Sequence, residues 1–159
     1  MLFPSPPSGQ VSINPNPQGS LVAVHSLGGS GGLTVGIGSL AVDEPNTLSI
    51  IDVESGTSEV ASTTLSVGSF WSPNGARLLI LGVNADAGAV DVVVWEAGET
   101  RLVTTIEIPA SLITEALAFV DQYAQSWRMW SPGSDAIVLP GNVEQDEGIW
   151  VNPSTAPIR

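Results

Sequence analysis

Apolar residues along the chain gather in short runs set off by turn residues. LVAVH at 21–25, LSIID at 48–52, RLLILGV at 77–83, VVVW at 92–95 and DAIVL at 135–139 are rich in Val, Leu and Ile and are set among turns of Gly, Pro, Asn or Ser. That length and composition predict buried strands. The stretch 101–108 alternates, with Leu102, Thr104, Ile106 and Ile108 expected on one face and Arg101, Val103, Thr105 and Glu107 on the other. Period-two alternation marks a strand with one covered and one wetter face. Residues 111–120 are apolar enough for a short helix. The expected class is all-β.

Three segments share one pattern: INPNPQGSLVAV at 13–24, WSPNGARLLIL at 71–81 and WSPGSDAIVLP at 130–140. Anchored on Pro15, Pro73 and Pro132, they recur 58 and 59 residues apart. Proline fixes φ and has no N–H to give a ladder, so it closes a strand and opens a turn. Asn74-Gly75 then signals a hairpin. A second element follows each first one: LSIIDVESGT at 48–57, VVVWEAGET at 92–100 and GIWVNPST at 148–155. The stretches 59–67 and 101–108 supply a further strand behind the first two.

Four antiparallel strands at a long fixed period predict a β-propeller. The phasing gives a partial propeller of about two and a half four-stranded antiparallel blades, at 11–68, 69–126 and 127–159, after a Pro-rich segment at 1–10. The third unit is too short for a fourth strand. A glycine tract at 28–39 lengthens a loop of the first unit, and 109–125 separates the second unit from the third motif.

Trp71-Ser72-Pro73-Asn74-Gly75 and Trp130-Ser131-Pro132-Gly133-Ser134 resemble the aromatic-Ser-Pro-Asp-Gly signature of TolB-like, WD-like propeller repeats. The first motif departs from it, with Ile13 in the aromatic place and Asn14 in the serine place. The resemblance implies that the aromatic ends an innermost strand and that the turn leads outward to the next. It implies a periplasmic or extracellular setting too. Such repeats occur in periplasmic accessory proteins and as the gating domain of prolyl-oligopeptidase-like serine peptidases, so they are specific for fold and poor for function.

Charge narrows the partners. Sixteen acidic residues stand against four arginines, a formal net charge of -12. Nucleic acid requires clustered Lys and Arg, and an anionic membrane surface requires the same, so both are excluded as expected partners. No run approaches the length of a membrane helix, so no membrane insertion is expected. MLFPSPPSGQ has neither the basic start nor the apolar core of a signal peptide. With no cysteine, disulfides, thiolate catalysis and Cys-ligated zinc are excluded.

Candidate chemistry is sparse. Gly28-Gly29-Ser30-Gly31-Gly32 fits the G-x-S-x-G nucleophile elbow, yet the sole histidine, His25, precedes Ser30, whereas the elbow needs an acid and a base downstream. His25 itself ends an apolar run and reads as a surface or hydrogen-bonded residue rather than a ligand. Asp86 and Asp91 flank a hairpin, and Glu144, Asp146 and Glu147 crowd a loop, but calcium-loop spacing is missing and solvated turns account for them better. No metal or cofactor is expected.

Trp71, Trp95, Trp130 and Trp150 recur at matching places and are expected in the core. Trp127 does not match. It lies beside Arg128 and close to Tyr123 on a segment entering an innermost strand, where aromatic and Arg side chains serve as binding anchors. Tyr123, Trp127 and Arg128 are therefore the candidate binding residues, against the plainer account of loop packing with an Arg128–Asp121 ion pair.

The expectation is a non-catalytic propeller module that binds or scaffolds protein or peptide partners, as part of a larger protein. The alternative is the gating propeller of a serine peptidase whose catalytic domain lies outside this chain. Open blade edges pair with other chains, so self-association, aggregation or marginal stability is expected.

Overall fold

The structure is a computed structural model that describes residues 10–27, 47–84, 86–106, 129–143 and 146–153. Strands β1 (Gln10–Pro15), β2 (Leu21–Leu27), β3 (Thr47–Asp52) and β4 (Ser58–Ser62) form one antiparallel sheet in chain order. Strands β5 (Ser66–Trp71), β6 (Arg77–Asn84), β7 (Ala89–Glu96) and β8 (Glu99–Ile106) form a second with the same order. Strands β9 (Ala136–Val143) and β10 (Asp146–Pro153) pair antiparallel, and Trp130 bridges Ile137 ahead of them. No helix occurs among the described residues. The chain is all-β, two blades and part of a third; the expected helix at 111–120 and the glycine tract lie outside the described residues.

The turns that start each blade are built alike. The N–H of Asn16, Ser72 and Ser131 donates to the carbonyl of Leu21, Arg77 and Ala136. Three residues on, Gly19, Gly75 and Ser134 donate back to Asn16, Ser72 and Ser131, all with positive φ. These bonds correct the sequence alignment of the first motif. Its turn proline is Pro17, not Pro15, and the place held by Trp71 and Trp130 is taken by Pro15 rather than Ile13. Likewise Asn16, not Asn14, takes the serine place: its Oδ1 accepts from the N–H of Ser20 and Leu21, as Ser131 Oγ accepts from Asp135 and Ala136. Asn-Pro occurs twice in INPNPQG, so spacing alone could not choose between registers two residues apart. Ile13 is 66% exposed, which a core place would not allow.

The β7–β8 connection is a two-residue turn, Ala97-Gly98, between paired Glu96 and Glu99. Both central residues have positive φ, at 51° and 86°, the type I′ geometry that suits the twist of a hairpin. Opposite it, β8 does not alternate as the sequence suggests. Val92 pairs with Thr104 and Val93 with Leu102, so Val103 is an extra residue in a bulge. The slip separates Leu102 from Thr104 and Ile106: Ile106 is buried while Leu102 is 46% exposed.

The second blade is buried on both faces, and the alternation along β6 shows how. Leu78 and Ile80 join Trp95 in a cluster with Ala23, Leu48, Ile50 and Ala61 of the first blade. Leu79 and Leu81 point the other way, with Phe70, Val90, Val92, Val94 and Ile106, into a cluster closed by Met129, Trp130 and Ile137. Hence β6 reads as an unbroken apolar run, the pattern of a strand covered on two sides. Trp71 lies against the first cluster and meets Trp95 edge to face, with centroids 5.9 Å apart at 89°.

Candidate binding surface between the blades

Adjacent blades are joined by a repeated set of hydrogen bonds. The indole Nε1 of Trp71 donates to Asn14 O, and that of Trp130 donates to Phe70 O, both at 2.9 Å. The acceptor in each case precedes the tryptophan place of the earlier blade. Bonds also run the other way, at the turns. Asn16 Nδ2 donates to Gly75 O at 3.2 Å, and Arg77 Nη1 donates to Ser134 O at 3.0 Å. Asn74 N–H donates to Ser134 Oγ at 3.1 Å, which gives the hydroxyl of Ser134 a use at a place where glycine would be easier. A Cβ on Gly75 would lie 1.6 Å from Gln18 Oε1 and 3.0 Å from Asn16 Nδ2, so the first blade packs on this glycine directly.

Towards the outer edge the first two blades part. The ends of β4 and β8 leave an open groove of about 360 Å³, lined by Val60, Ala61, Ser62, Thr63, Thr64, Val93 and Thr100. Its walls are methyl groups and hydroxyls without a charge. Glu59, the nearest acid in sequence, does not line it: its Oε1 accepts the indole N–H of buried Trp95 in the second blade at 2.7 Å. Beside the groove, β8 is the outermost strand of its sheet. A sheet edge offers unpaired backbone N–H and C=O groups, the requirement for adding an extended peptide as a further strand.

The charged residues serve turns and blade contacts. Arg77 pairs with Glu96 at 2.9 Å while its other nitrogen reaches Ser134. Asp52 Oδ1 accepts from Ser55 N–H and Oγ; the backbone bond first, then the hydroxyl bond, hold its pKa below the usual value. The Ser131 hydroxyl does the same for Asp135, helped by Asp135's own N–H.

Of the residues singled out in the sequence, Tyr123, Trp127 and Arg128 lie outside the described residues, as do Ser30 and Glu144. His25 is on β2, opposite Ser12 and Leu48. Asp86 is exposed in the β6–β7 turn, whereas Asp91 is on β7, accepting from Asn84 Nδ2 and from Thr105 Oγ1. Asp146 and Glu147 begin β10, across from Val143 and Asn142. Among the described residues no group of three His, Asp or Glu could hold a metal. Trp95 and Trp130 are buried as expected and Trp71 is half-buried. The groove was not foreseen; the run Ser62-Thr63-Thr64 between two blades was its only trace in the sequence.

Comparison with known proteins supports the architecture. No protein-family model matches the chain, and no curated protein matches it. Among solved structures it is similar to TolB from Acinetobacter baumannii, at 11% identity and a TM-score of 0.50 over 92% of this chain and 30% of that one. It is also similar to the β-propeller domain of the Trilobed protease from Pyrococcus furiosus, at 12% identity and a TM-score of 0.55 over 91% of this chain and 39% of that one. The fold is that of a TolB-like β-propeller. The chain spans about a third of the length of the propellers it matches.

Proposed function

We propose that the chain is a non-catalytic propeller module that binds protein or peptide partners, and that it is part of a longer protein. The observation that carries this reading is the groove between β4 and β8, with its hydroxyl and methyl lining beside the outermost strand of the second blade. An uncharged groove next to a sheet edge suits an extended peptide with small or apolar side chains: the main chain supplies the hydrogen bonds and alternate side chains fill the groove. The net charge of -12 leaves little affinity for anionic partners.

Titration of the isotope-labelled chain with a panel of uncharged nine-residue peptides tests this by NMR. Saturable shifts centred on Val60–Thr64 and Thr100, weakened at least tenfold by Thr100→Arg, are expected. Saturable shifts elsewhere, or none with any peptide, would overturn the site, and peptidase or glycosidase turnover by the purified chain would overturn the non-catalytic reading. A second reading, the gating propeller of a serine peptidase, is favoured by the likeness to a protease's propeller domain. It requires a G-x-S-x-G elbow with downstream Asp and His encoded beside this segment, and sequencing the flanking reading frame decides it.

A further inference from the structure

Asn74-Gly75 is the one Asn-Gly pair in the chain, and the turn that holds it is gripped by both neighbouring blades. The N–H of Asn74 donates to Ser134 Oγ of the third blade at 3.1 Å, and Gly75 O accepts from Asn16 Nδ2 of the first blade at 3.2 Å. An asparagine followed by glycine can react with itself, because the next residue's backbone nitrogen is tethered beside the side-chain carbonyl and glycine has no Cβ to obstruct the approach.

The turn presents the groups of that reaction in order. Asn74 is exposed. Its Oδ1, where negative charge gathers as nitrogen adds to Cγ, accepts from Ser72 Oγ at 2.7 Å and from Ala76 N–H at 3.1 Å, two donors placed as in an oxyanion hole. Among the described residues both side-chain bonds of Asn74 go to Oδ1, so Nδ2, the leaving nitrogen, is not held. The nucleophile is held. Gly75 is buried, and its N–H donates to Ser72 O at 2.8 Å. The backbone nitrogen attacks only after losing that proton, and a hydrogen-bonded backbone N–H loses its proton only when the bond opens. The closed turn therefore restrains a reaction that its other groups favour.

We infer that Asn74 is a self-deamidation site whose rate is set by the contacts with the neighbouring blades. When the turn opens, Gly75 N loses its proton and bonds to Asn74 Cγ; the Cγ–Nδ2 bond breaks, and Nδ2 takes up a proton and leaves as ammonia. Water then opens the cyclic imide. Cleavage at Cγ gives aspartate in an ordinary chain, whereas cleavage at the backbone carbonyl of residue 74 leaves the chain running through Cγ, one carbon longer within the turn. Aspartate fits the turn, since Oδ1 serves only as an acceptor. The longer linkage does not, because Asn74 N and Gly75 O must reach two different blades. One modification thus loosens two blade junctions.

The full chain and an unstructured peptide of residues 69–80, incubated side by side in mildly alkaline buffer, provide the test. Mass mapping follows conversion at residue 74, and NMR follows hydrogen exchange at Gly75. The peptide and the urea-unfolded chain should both convert, and the folded chain at least tenfold more slowly. Ser134→Gly removes the hydroxyl that holds Asn74 N–H while tolerating the φ of 61° at that place. It should raise Gly75 exchange and deamidation by the same factor, at least threefold, and urea below the unfolding transition should raise both in parallel in the wild type. Chain enriched in the longer linkage should unfold at lower urea than Asn74→Asp. A folded chain that converts as fast as the peptide, an unfolded chain that does not convert at residue 74, deamidation that does not follow Gly75 exchange, or equal unfolding of the two product forms would each overturn the inference.

Discussion

Replacing Trp130 by phenylalanine isolates one contact between blades. The indole is 5% exposed, and its Nε1 donates at 2.9 Å to Phe70 O, a buried bond. Removing the donor loses that buried bond, at about 1 kcal/mol net. The smaller ring also leaves a void among Leu79, Val92 and Ile137, whose burial defines the cluster. That adds about 1–2 kcal/mol, a fraction of the ~3–5 kcal/mol that truncation to alanine costs. The expected total for Trp130→Phe is about 2–3 kcal/mol.

Trp71→Phe is the matched control, since the same indole bond runs to Asn14 O but the side chain is only half-buried. Water can replace the lost donor there, and a phenyl ring keeps much of the edge contact with Trp95. Its expected cost is about 1 kcal/mol. Urea unfolding followed by far-UV circular dichroism measures both, free of the fluorescence change that losing a tryptophan brings. If Trp71→Phe costs as much as Trp130→Phe, or Trp130→Phe costs under about 1 kcal/mol, burial does not set the strength of these contacts and the reasoning fails.

Gly75→Ala and Gly19→Ala occupy the same place in successive turns, with φ of +65° and +72°, but only Gly75 has a neighbour in the way. Both should lose about 1 kcal/mol to left-handed strain, and Gly75→Ala should lose measurably more in urea unfolding because Gln18 and Asn16 must move. Ala97→Asn should stabilise by about 0.5–1 kcal/mol, because asparagine tolerates the positive φ that alanine adopts at 51° in the β7–β8 turn; an unchanged unfolding midpoint would count against stored strain there. Asp52 and Asp135 have folded-state pKa values lowered from 3.8, so what they contribute is present above that value and is lost as the pH falls through the lower folded-state values. Stability measured down through this acid range should therefore decline less steeply in Asp52→Asn/Asp135→Asn than in the wild type.

The linear order of the chain was enough to establish strands and turns. Short apolar runs punctuated by Pro and Gly dictate antiparallel hairpins, because period and turn chemistry are local properties, and the repeated Trp-Ser-Pro motif made a propeller legible. The register of the first motif was not legible, since two Asn-Pro pairs two residues apart satisfy the same pattern and only the bonds from Asn16 to Ser20 and Leu21 choose between them. The bulge at Val103 was hidden for the same reason, because β8 alternates in sequence yet must fit the neighbouring strand. Which tryptophans hold blades together, and which apolar residues stay bare, depends on packing between sheets more than fifty residues apart. Trp71, Trp95 and Trp130 were all expected simply as core residues, yet two bond to the preceding blade's backbone and one binds the Glu59 carboxylate. The groove between β4 and β8 exists only because two outer strands diverge, and divergence between separate sheets leaves no period in a sequence.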